Sequence, residues 1–287
     1  MNRPEIIAGT MNWGVWGKGL TLPAMARHIE GCFELGVFAF DHADIYGDFT
    51  TERAFGQAFA ETNLSREQVW WISKCGIQYP NPKTATSVKY YNYTPKHIRQ
   101  SVENSLRNLQ TEYLDGLLLH RPSPLMDPES IVHTLLELKE EGKIKGWGVS
   151  NFTPSQIALF QGDERPLWNQ LECSVTHTSP MTDGTLDFMK VNKIAAMAWS
   201  PLGSFFKTSG PQQKRLNEVV ARLSKKTEQT PAQLLLAWLV RHPSGIIPVV
   251  GTTDLLRLSD LKETCSFHLE LEDWFAMTEA SWGHRVP

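Results

Sequence analysis

From end to end, short apolar runs alternate with longer amphipathic segments, and this alternation limits the folds open to the chain. Runs with strand character cover Glu5–Ala8, Val37–Phe40, Gln68–Ser73, Gly116–Leu119, Ile144–Val149, Leu167–Glu172, Ile194–Trp199 and Ile246–Val250. Between and after them, helical periodicity covers Pro23–Leu35, Thr50–Ala60, Thr94–Asn108, Asp127–Glu141, Pro154–Phe160, Leu186–Val191, Gln212–Lys226, Pro231–Arg241 and Leu255–Lys262. Local chemistry punctuates the helices: Thr21 and the Thr94-Pro95 pair read as starts, Gly142 as a stop. Strands that are apolar without strict alternation belong to a sheet buried on both faces, which is the parallel α/β arrangement. Eight such units in 287 residues predict a single domain over 1–287, a closed (β/α)₈ TIM barrel of eight parallel strands ringed by helices. A doubly wound open sheet has the same periodicity, because periodicity does not count closure.

Charge and composition exclude several function classes. A formal net charge of -3 is wrong for a duplex-binding surface. The longest apolar stretch, around Leu234–Val240, is far too short to span a bilayer, and the first residues lack the apolar run of a signal peptide. Cys32, Cys75, Cys173 and Cys265 form no CxxC pair, which argues against zinc or a disulfide framework. Cys75 and Cys173 read as buried structural thiols, and the sequons at Asn63, Asn92 and Asn151 as chance. Lys225-Lys226 reads as a solvated helix face. The expectation is a soluble, cytoplasmic, monomeric enzyme acting on a small molecule, with no nucleic acid, membrane or metal.

In a parallel barrel the chemistry gathers at the C-terminal ends of the strands. The polar residues there are Asp41 after the second strand, Lys74 after the third, His120 after the fourth, Ser150-Asn151 after the fifth, Asn169-Gln170 in the sixth, Trp199-Ser200 after the seventh and Gly251-Thr252 after the eighth. Taken with their neighbours, these motifs resemble the aldo-keto reductases, most closely a YdhF-like bacterial branch. The resemblance rests on DHADIYG at 41–47, ISKCG at 72–76, LHRP at 119–122, GVSNF at 148–152, NQ at 169–170 and SPLG at 200–203, and spans nearly the whole chain. Six weak motifs in one order, each at a strand end, make a specific signal.

The resemblance implies an NADPH-dependent oxidoreductase that reduces aldehydes and ketones, with a tetrad matched here by Asp41, Tyr46, Lys74 and His120. Physical chemistry supports that set. Hydride arriving at a carbonyl carbon leaves negative charge on oxygen, so an acid must deliver a proton there. A free phenol titrates near pH 10, and a neighbouring ammonium is expected to lower that value. Asp41 would keep Lys74 charged, and His120 would hydrogen-bond the substrate oxygen.

The glycines at 14, 17 and 19 have the wrong order and context for a Rossmann fingerprint. The resemblance implies instead an extended NADP(H), preferred over NAD(H), across the barrel mouth. Ser150, Asn151 and Gln170 match a carboxamide-binding trio, and amide and hydroxyl groups suit a carboxamide that both donates and accepts. Trp199 stands where the family usually stacks a tyrosine on the nicotinamide. Thr10 and Met11 match the turn beside that ring, and Asp41 also borders it. Ser200, Leu202 and Gly203 match the pyrophosphate stretch. Gly251 stands where relatives often carry a lysine, Thr252 keeps the following hydroxyl, and Arg257 matches a 2′-phosphate ligand.

The family's N-terminal hairpin is expected to be absent or minimal here. The long loop after Lys74, with Tyr79, Tyr90, Tyr91 and Tyr93, is expected to wall an open substrate pocket together with Trp13, Tyr46 and His120. Two rival readings stay open. One is a class I aldolase-type enzyme forming a Schiff base on Lys74, which needs an uncharged, desolvated lysine. The other is a non-catalytic, NADPH-binding regulatory subunit.

Overall fold

The computed structural model describes residues 3–82, 84, 86–160 and 165–287. Eight strands close a barrel in which every pairing is parallel: β1 (Ile7–Gly9), β2 (Ala39–Asp41), β3 (Trp70–Cys75), β6 (Gly116–Leu119), β7 (Trp147–Ser150), β8 (Trp168–Glu172), β9 (Ala195–Trp199) and β10 (Ile247–Val250). Two further strands, β4 (Ile77–Gln78) and β5 (Tyr90–Tyr91), pair antiparallel as a ribbon above the third barrel strand. The closed barrel decides the question that periodicity left open.

Successive side chains on each strand face opposite ways. Those facing inward form a small cluster of Ile7, Ala39, Ile72, Leu118, Met197, Ile247 and Val249. Phe38, Trp70 and Trp168 pack against it, the two indoles edge to face with centroids 5.4 Å apart. Those facing outward join the helices in the main core, where Cys75 sits. Burial pushes the Cys75 thiol well above its ordinary value and that of Cys173 up to about 12, so both are inert packing groups.

Helix starts follow the local chemistry. Thr94 accepts from the amide of His97, Asp127 from Ser130 and Thr230 from Gln233, each with proline in the first turn of the helix it caps. Thr21 precedes its helix, Leu22–Glu34, without a side-chain cap bond.

The sequence reading omitted the helix Leu271–Trp282 and the ribbon. That helix buries only part of one face. Its Trp274 stacks on Trp238 at 5.3 Å and donates to the Trp238 carbonyl, while Trp238 donates to Thr278. Such reciprocal contacts join elements distant in sequence, so no local period announces them. Two-residue strands are equally silent. No described helix is long and apolar enough to cross a membrane.

Candidate active site

The site is built by extending the inward-facing ladders one step. Two residues beyond Ile72 is Lys74, beyond Ala39 is Asp41, and beyond Leu118 is His120. Beyond Trp168 comes Gln170, beyond Met197 comes Trp199, and beyond Val249 comes Gly251. The period of two that fills the barrel with apolar groups therefore delivers polar groups to its upper end. All but Lys74, which is buried behind Asp41 and Tyr46, line a cavity of about 530 Å³ together with Tyr46, Ser150 and Asn151.

Lys74 has no exposed side-chain surface. Its ammonium donates to Asp41 Oδ2 at 2.7 Å, to the His42 carbonyl at 2.8 Å and to Tyr46 Oη at 3.0 Å. All three donors are thus in use. Asp41 Oδ1 accepts from Gln170 Nε2 at 2.7 Å. Burial pulls the Lys74 pKa down, but Asp41 and then Tyr46 outweigh it and the net shift is upward. The lysine is charged, which opposes the Schiff-base reading.

Tyr46 departs from expectation. Lys74 does pull its phenol down, but burial pushes harder the other way and the pKa lies above its ordinary value. The phenol holds its proton. The Tyr46 and His120 rings meet edge to face with centroids 6.1 Å apart. His120 is held well below the ordinary histidine value by burial, with Lys74, Arg121 and Lys89 adding to it, so the ring is neutral. Its Nδ1 is buried without a partner, which leaves Nε2 as the nitrogen a ligand in the cavity can use.

The residues matched to the cofactor form a connected wall. Ser150 Oγ donates to the Gln170 carbonyl at 2.8 Å, Asn151 Nδ2 to Ser150 Oγ at 2.8 Å, and the Trp199 indole to Asn151 Oδ1 at 2.9 Å. Asn151 (φ 64°) and Ser200 (φ 48°) adopt left-handed backbone. Asparagine tolerates it, but at serine it carries a cost of order 1 kcal/mol, the kind of strain found at functional sites. Met11, Ser200, Leu202, Gly203, Gly251 and Thr252 also line the cavity.

Four positions fall elsewhere. Trp13, expected in the substrate pocket, is fully buried instead in the main core between barrel and helices, where its ring packs against His28, Phe40 and Phe55. Trp16 lines the mouth instead. Tyr79 lies behind Trp16, stacked on Phe49 with its hydroxyl donating to Asp48, so it does not line the cavity. Thr10 is buried, its hydroxyl donating to the Asp41 carbonyl and paired with His42 Nδ1. Arg257 lies in an adjoining cleft of about 580 Å³, with Asn12, Lys18, Gly251, Thr252 and Asp254.

The sequence reading missed Asn12, Trp16, Lys18, Lys89, Arg121, Phe206 and Lys207, all lining one of these two spaces. All lie on loops, where no period marks which side chains face the mouth. The one available signal was adjacency: Arg121 follows His120 inside a motif already singled out.

Comparison with known proteins agrees with this geometry. The Aldo/keto reductase family model matches residues 5–281. A 6-dehydroglucose reductase of Agrobacterium fabrum is 34% identical over 281 residues, covering 96% of this chain and 94% of that protein. The oxidoreductase YdhF of Escherichia coli is 34% identical over 279 residues, covering 96% and 93%. In structure, the chain is similar to the glycerol dehydrogenase AKR11B4 of Gluconobacter oxydans, with a TM-score of 0.86 at 21% identity over 98% of this chain and 92% of that one. Fold, motif order and whole-chain similarity agree, and the chain belongs to the aldo/keto reductase family as an oxidoreductase of carbonyl compounds.

Proposed function

We propose that the protein reduces aldehydes and ketones to alcohols with NADPH, and that Tyr46 is the proton donor. One observation carries the reading: a buried ammonium touches Asp41 and Tyr46 at once, and those two residues line a cavity with His120. The donor set suits a dinucleotide. Ser150, Asn151 and Gln170 offer hydroxyl and amide groups for a carboxamide, and Trp199 offers an indole for stacking. Ser200, Leu202 and Gly203 line the same wall and would follow the pyrophosphate. Arg257 would face the 2′-phosphate.

When bound, the reduced nicotinamide supplies hydride to the carbonyl carbon. Tyr46 gives its proton to the carbonyl oxygen, so the C=O becomes CH–OH. Lys74 stabilises the phenolate left behind, and Asp41 holds Lys74 charged. Neutral His120 donates a hydrogen bond to the same oxygen and orients it. The A. fabrum relative is named for reducing 6-dehydroglucose, which supports a small polar carbonyl compound as the substrate class here.

The test is NADPH consumption with an activated aromatic aldehyde, comparing wild type with Tyr46→Phe. The variant should lose roughly two orders of magnitude in kcat while its NADPH dissociation constant stays within about twofold. A wild type that binds NADPH but never turns over points to the regulatory-subunit reading. Borohydride trapping of substrate on Lys74 points to the aldolase reading.

A further inference from the structure

The chain carries a net charge of -3, yet the cavity mouth reverses that sign. Lys89, Arg121 and Lys207 line it, and among the described residues Asp41 is the one carboxylate in the lining. Asp41 is spent on Lys74 and Gln170. Lys207 follows Phe206 beyond the Ser200–Gly203 stretch, where the proposed cofactor's pyrophosphate gives it a partner. Lys89 and Arg121 belong to the other wall, beside Tyr46 and His120. The electrostatics agree: Arg121 acts on both of those rings and Lys89 acts on His120.

Arg121 is not a loose surface arginine. It is half-buried, and its backbone is fixed from both sides by one phenol: Tyr93 Oη donates to the Arg121 carbonyl at 2.6 Å and accepts from its amide at 3.0 Å. Its guanidinium lies 5.7 Å from the centre of the Trp199 indole. Among the described residues it has no carboxylate partner, and neither has Lys89, which is carried into the mouth by the ribbon of β4 and β5. A fixed, partly desolvated guanidinium and a flexible ammonium, both unneutralised, stand beside the groups that face the substrate oxygen. Holding the half-buried Arg121 there without counter-charge costs energy that an anionic ligand returns, and the exposed Lys89 adds attraction for the same ligand.

We infer that the carbonyl substrate of this site bears an anionic oxygen group, a carboxylate or a phosphate ester, a few bonds from the carbonyl and engaged by Arg121 and Lys89. This rests on the carbonyl-reductase reading and gives it a substrate class. Arg121 supplies a planar fork for paired oxygens, and Lys89 closes over them as a point charge. Both contacts reach a part of the substrate remote from the reacting carbon, so they set its position and affinity rather than the chemistry.

The experiment compares matched aldehydes with NADPH at low ionic strength: benzaldehyde against 4-formylbenzoate, and glyceraldehyde against glyceraldehyde 3-phosphate. The expected result is a preference of about tenfold or more in kcat/KM, mainly through KM, for the anionic member of at least one pair. Which pair shows it distinguishes carboxylate from phosphate. Arg121→Gln and Lys89→Gln should each lower that anionic-to-neutral ratio severalfold, and 0.5 M salt, which cuts the screening length from about 30 Å at 10 mM to about 4 Å, should do the same. Equal turnover of both members, or a preference that survives both substitutions, overturns the inference. If no aldehyde is reduced, it is the reductase reading that has failed. Calorimetric titration with benzoate against benzyl alcohol then still decides the anion site: tighter benzoate binding that Arg121→Gln weakens sustains it, and equal affinities overturn it.

Discussion

Single residues at this site act through a few well-placed charges. Gly251 is an example. A side chain there would press on Asn12, whose Nδ2 lies 3.2 Å from where a Cβ would sit, so this position is tight for a lysine. The cation comes from across the cleft, as Lys18 on the loop after β1, facing Arg257. Asp254 offsets part of their charge and would repel a phosphate there. Its carboxylate caps the helix Leu255–Thr264 at the amides of Leu256 and Arg257 and lies 3.5 Å from the Arg257 guanidinium. On the NADPH reading, Arg257→Ala and Lys18→Gln should each weaken NADPH binding severalfold and NADH binding little. Asp254→Asn keeps the cap, since asparagine caps as well as aspartate, and removes the repulsion. It should tighten NADPH by roughly threefold. Fluorescence titration with both dinucleotides checks all three, and equal losses for NADH would refute the 2′-phosphate assignment. Arg257 was singled out by its position in the family pattern. Lys18 was not, because a residue on the loop after β1, far from Arg257 in sequence, joins the cleft only through the barrel's closure of β1 on β10.

At the level of elements, the upper end of β3 decides how the mouth is walled. Gly76 has φ +111°, and a Cβ there would run into the Tyr93 ring. That close approach lets the phenol reach across to the Arg121 backbone. Gly76→Ala should therefore cost on the order of 2–4 kcal/mol in urea unfolding, from both strain and collision. Gly142→Ala is the control. It also has positive φ (+73°) but meets nothing, so about 1 kcal/mol is expected. Similar costs at the two positions would show that Tyr93 yields freely. The barrel strands were visible as apolar runs to within a few residues. The ribbon was not, because two-residue strands carry no period and its pairing of Ile77 with Tyr91 spans the whole loop.

The whole molecule carries its burial as a pH dependence. His28, His42, His97, His120 and His242 all sit below the ordinary value of 6.5, with burial the largest cause in each. Below about pH 6.5 the unfolded chain takes up protons that the folded chain refuses, so stability falls as pH falls. Asp44 and Glu52 act in the opposite sense. Burial raises both, so the folded state binds their protons first and gains stability as pH falls through their folded values. Five histidines against two carboxyls predict a net loss. Lowering the pH from 7.5 to 5.5 should reduce Tm by roughly 3–10 °C. A Tm that rises over that interval would show that the two carboxyls dominate.

The sequence by itself determined the class of fold and the order of the chemistry along it. Apolar strands in alternation with capped helices demand a doubly covered parallel sheet, and the period of two puts Asp41, Lys74, His120 and Gln170 one step above the interior. Tertiary structure decided what depends on distance through space. Closure of β1 onto β2 and β10 brings the strand ends to one mouth. Burial outweighs Lys74 at the Tyr46 phenol and reverses the expected shift. Trp13 went to the core and Trp16 to the rim, a choice that turns on volume and packing rather than on residue type. The unpaired cations of the mouth came from loops. Periodicity specifies which face a residue shares with its neighbours on the same element, whereas a site is made where different elements end, and only the packed molecule sets those ends against one another.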